Sequence, residues 1–133
     1  MVTSNLRKIL RFNDSLEEVA SAAKTLAQCG DMSELYCMAS GGYRRGLSWY
    51  NPTYMVIAME ALIESGLPES KIFLKHLLKT GFDHLVSSEK KYGDYYREEY
   101  DVRPNLPAKF NKAVKFDEGL NERVRNVYRS IQE

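Results

Sequence analysis

Two short stretches hold most of the residue types that do chemistry at a protein surface. In the first, Tyr43, Arg44, Arg45, Trp49 and Tyr50 bring two arginines, two tyrosines and the only tryptophan into one run that opens on Gly41-Gly42. Aromatic faces stack on bases, and a guanidinium forks onto phosphates or guanine edges. Trp, Tyr and Arg are equally the types that dominate protein–protein hot spots. The same residues can also cap a core, with the rings packed and the arginines solvated. All three readings stay open on residue types alone.

The second stretch runs from Lys90 to Asp101 and carries Tyr92, Tyr95, Tyr96 and Tyr100, four of the nine tyrosines in the chain. Asp94, Glu98, Glu99 and Asp101 offset its bases, so it fits contact with a protein better than tracking of phosphates. The bland alternative is a tyrosine-lined helix laid over the core with its hydroxyls in water. A third feature is basic. Arg123, Arg125 and Arg129, with Lys109, Lys112 and Lys115, make the last thirty or so residues the most basic part of the chain. Arg125 and Arg129 lie one helical turn apart, within reach of Glu118 and Glu122.

A catalytic constellation is not legible. His76 and His84 stand on either side of Gly81 with no nucleophile patterned beside them, and they read as structural or surface residues. The sequence holds no nucleophile elbow, His-Glu-X-X-His helix, Walker phosphate loop or dinucleotide fingerprint. Gly41, Gly42 and Gly46 have the glycines of a phosphate cradle without its spacing or its Lys-Ser/Thr. Glu17-Glu18 and Glu98-Glu99 read as helix-surface acids lacking the companions a cation would need. Cys29 and Cys37 read as free thiols. The expectation is a non-enzymatic protein with no cofactor and no metal.

Composition agrees with a folded binding protein. Nineteen basic and eighteen acidic residues leave a formal charge of +1, so no global basic field draws the chain to nucleic acid. Apolar residues make up 44%, ordinary for a globular chain, and 133 residues suit one domain, residues 1–133. Neither a signal peptide nor a membrane span is visible, which points to a cytoplasmic protein.

The elements that must position these residues read as helices throughout. The most apolar stretch is Asn51 to Gly66. Asn51 is an N-cap, Pro52 suits the first turn, and Gly66 followed by Pro68 ends the helix. Only Glu60 and Glu64 are charged between these marks, so a central buried helix over 52–65 is expected. A second apolar helix over 68–80 makes a hairpin with it, with Lys71, Lys75 and Lys79 on the wet side.

Upstream, 4–12 reads as a short amphipathic helix with Leu6, Ile9 and Leu10 inward. Ser15 and Glu18 form a capping box for a helix to about Cys29, with Leu16, Val19, Ala20, Ala23, Leu26 and Ala27 buried. Asp31 restarts a helix through Met38, and 40–51 is a loop. Downstream, helical pieces are expected over 82–91 and 94–101, then from Pro107 through Phe110, Ala113, Val114 and Phe116, an interruption at Asp117–Gly119, and a last helix over 120–131.

The expected fold is therefore all-α, about seven helices around an apolar hairpin. The expected role is to bind a protein partner, as an adaptor, small subunit or inhibitor, through Tyr43–Tyr50 and Tyr92–Tyr100. The alternative is a nucleic-acid or ribonucleoprotein binder using Arg44, Arg45, Arg123, Arg125 and Arg129. A homo-oligomer is compatible with either.

Overall fold

The computed structural model describes residues 2–40, 51–79 and 106–132. These form seven helices: α1 (Val2–Phe12), α2 (Leu16–Gln28), α3 (Ser33–Ala39), α4 (Pro52–Glu64), α5 (Pro68–Lys79), α6 (Leu106–Phe116) and α7 (Glu118–Gln132). No strand occurs among the described residues. The protein is all-α.

The helix at the centre is α4. Asn51 starts it in extended backbone, its side-chain oxygen accepting from the amides of Thr53 at 2.9 Å and Tyr54 at 3.4 Å. Met55, Val56, Ile57, Ala58, Met59, Ala61 and Leu62 are all buried, so the helix is covered on nearly every side. Five helices supply that cover: α2, α3, α5, α6 and α7 each contact it. Burying each large apolar side chain stabilises the fold by about 1.5–3 kcal/mol, so this one helix carries a large share of the core. It packs most extensively against α3 and α2, and less against its neighbour in sequence, α5. The hub is therefore α4 itself.

Local signals set the boundaries. Of the expected capping box only one half forms: Ser15 accepts from the Glu18 amide at 3.4 Å, but the Ser15 amide donates to the Asn13 side-chain oxygen at 2.7 Å, and Glu18 accepts from the Asn13 side-chain amide instead. Gly30 and Gly66 adopt φ of +79° and +70° after α2 and α4, where only the missing Cβ makes a left-handed residue inexpensive. Asp117 replaces the expected three-residue interruption. Its carboxylate accepts from the Leu120 amide at 3.1 Å, so it caps α7 from Glu118 onward and Gly119 lies inside the helix.

Leu16, expected among the buried residues of α2, is exposed, as are Phe116 and Ile72. Leu16 is 50% exposed although it shares the side of Val19, Ala23 and Ala27, because it occupies the first helical position beside the α1–α2 turn. Phe116 is 74% exposed at the end of α6, where Phe110 and Val114 carry the packing, and the Lys115 ammonium lies 5.8 Å from the centre of its ring. Ile72 is 50% exposed on α5, whose inner side is Phe73, Leu74 and Leu77.

Side-chain ties fix the remaining helices. Arg7 pairs with Asp31, and Arg11 with Glu34 at 3.5 Å, bracing α1 across the α2–α3 corner. Fully buried Leu10 seats the same helix on the core. The Tyr128 hydroxyl donates to the Leu78 carbonyl at 3.0 Å, tying α7 to the end of α5.

Candidate interaction surface

Two side-chain contacts join α3 and its N-cap to α5. Near their starts, the buried Ser70 hydroxyl donates to the Met32 sulfur at 3.3 Å. About one turn further on, the Tyr36 and Phe73 rings meet with centroids 4.5 Å apart and planes tilted by 54°. These two contacts join the first turns of α3 and α5; α3 ends at Ala39, capped by Ser40, and α5 ends at Lys79. The end of α4 meets the start of α5, where Ser65 Oγ lies 3.3 Å from Ser70 Oγ. Ser40 itself is buried, its hydroxyl donating to the Cys37 carbonyl at 2.6 Å.

The sequence-predicted partner residues follow those two ends. Tyr43, Arg44, Arg45, Trp49 and Tyr50 fall in 41–50, after α3; Tyr92, Tyr95, Tyr96 and Tyr100 fall in 80–105, after α5. Both groups lie outside the described residues, as do His84 and the expected helices over 82–91 and 94–101.

The three C-terminal arginines are described, and they differ. Arg123 is committed to the fold: Nε donates to Glu60 Oε2 at 2.9 Å and Nη2 to Glu60 Oε1 at 2.5 Å, a two-pronged grip of α7 on α4. The hydrogen bond to Glu60 raises the Arg123 pKa; partial burial opposes the rise, and the charges of Glu60 and Asp117 add to it. Arg129 donates to the Asn126 side-chain oxygen at 2.7 Å and lies 3.8 Å from Glu122, its expected partner. Arg125 is exposed and lines an open cleft of about 430 Å³ with Lys115, Glu118, Asn121 and Glu122. Acids stand among the bases there, so the surface is electrically mixed.

A second groove, of about 360 Å³, lies between α2, α4 and α7. Ile63 and Val127 supply its apolar surface; Lys24, Glu60, Glu64 and Arg123 supply its charges. Lys24 and Glu64 stand 3.5 Å apart across it. Sequence reading missed both cross-helix pairs. The signal was present in part, because Glu60 and Glu64 are the only charges on an otherwise apolar helix and a partner was owed to each.

Cys29 is exposed and Cys37 buried, so the two thiols sit in different environments. Among the described residues no cluster of three His, Cys, Asp or Glu side chains is arranged to hold a metal ion, and no helix is long and apolar enough to cross a membrane. No protein-family model, curated protein or solved structure matches this chain.

Proposed function

We propose that this chain is a small, non-enzymatic helical interaction protein that binds a protein partner, as an adaptor, a small subunit of a larger complex or an inhibitor. The contact residues in this reading are Tyr43, Arg44, Arg45, Trp49 and Tyr50, together with Tyr92, Tyr95, Tyr96 and Tyr100. What supports it is the clustering of Tyr, Trp and Arg in two segments that follow α3 and α5, helices joined to each other through Met32–Ser70 and Tyr36–Phe73. Trp, Tyr and Arg side chains can bury large area in an interface at low entropic cost.

The competing reading is a nucleic-acid or ribonucleoprotein binder using Arg44, Arg45, Arg123, Arg125 and Arg129. It is the weaker of the two because Arg123 would have to leave Glu60, and because Glu118 and Glu122 stand beside Arg125.

A tagged pull-down from host extract, split and treated with or without nuclease, separates them. Partner capture that survives nuclease, and that does not fall log-linearly with salt, supports protein binding. Loss on nuclease treatment, with a steep salt dependence, moves the function to nucleic acid.

A further inference from the structure

We draw no further inference here: the strongest candidate, the groove between α2, α4 and α7, has its charges already matched across its own walls, Lys24 to Glu64 and Arg123 to Glu60, and nothing in the structure points to a ligand that would occupy it.

Discussion

Arg123 closes both prongs of its guanidinium on Glu60, sixty-three residues earlier in the chain, and so fastens the last helix to the central one. Both side chains keep about a third of their surface in water, 36% and 32%, which moderates what the pair contributes. A double-mutant cycle with Arg123→Met and Glu60→Gln should give a coupling of about 0.5–1.5 kcal/mol, above that of an ordinary exposed pair. Arg123→Lys should recover only part of it, because an ammonium cannot make the fork. Urea unfolding of the four proteins measures this. A coupling indistinguishable from zero would mean the grip does not persist in solution.

Tyr128 ties the same helix to α5 through its hydroxyl. Tyr128→Phe removes the donor to the Leu78 carbonyl and should cost about 0.5–1.5 kcal/mol. Burial also raises the Tyr128 pKa above its ordinary value of 10.0. A raised folded value means the stabilisation is fully present below the unfolded pKa and is lost as pH rises through the folded one. Stability should therefore fall on the alkaline side of about pH 10, and less steeply in Tyr128→Phe. Unfolding midpoints across alkaline pH read both effects; identical slopes would remove the tyrosine from the explanation.

Phe73 is fully buried and its ring meets that of Tyr36 between α3 and α5. Phe73→Ala should cost about 3–5 kcal/mol, whereas Phe73→Leu, which refills most of the space, should cost distinctly less. Chemical denaturation of the two variants tests this. A small loss in the alanine variant would contradict the packing that joins α3 to α5.

At Gly66 the backbone needs φ of +70°, and a Cβ would meet nothing within 4 Å. The penalty for Gly66→Ala is thus conformational, about 1 kcal/mol, and Gly66→Asn should cost less because asparagine tolerates the left-handed region. If the two substitutions lower the thermal midpoint equally, a steric cause replaces the conformational one.

Much of the fold was legible because the signals were local. Asn51, Pro52 and Gly66 bracket α4 where capping chemistry places them, and the Ser15–Glu18 pattern does the same for the start of α2. Inward and outward sides were less legible near helix ends. Leu16 satisfies the apolar period yet is exposed in the first turn of α2, whereas Phe116, two residues from Val114 and six from Phe110, falls off the period of α6 and is exposed at its end. The distant pairings were not legible: nothing in the spacing of Glu60 and Arg123 says which acid meets which base, since that depends on how α7 lies over α4. The candidate surface was legible as composition, in the clustering of Tyr, Trp and Arg. The contact between α3 and α5 was not, because it joins residues 38 apart, Met32 and Ser70.

The most direct test of partner binding compares the wild type with Trp49→Ala and Tyr96→Ala, each captured from nuclease-treated host extract and each unfolded in urea. The predicted result is a stoichiometric protein partner on the wild type, capture reduced at least tenfold in both variants, and unfolding midpoints unchanged. Undiminished capture by both variants would contradict the proposed contact residues. Lowered midpoints would show instead that Trp49 and Tyr96 serve the core.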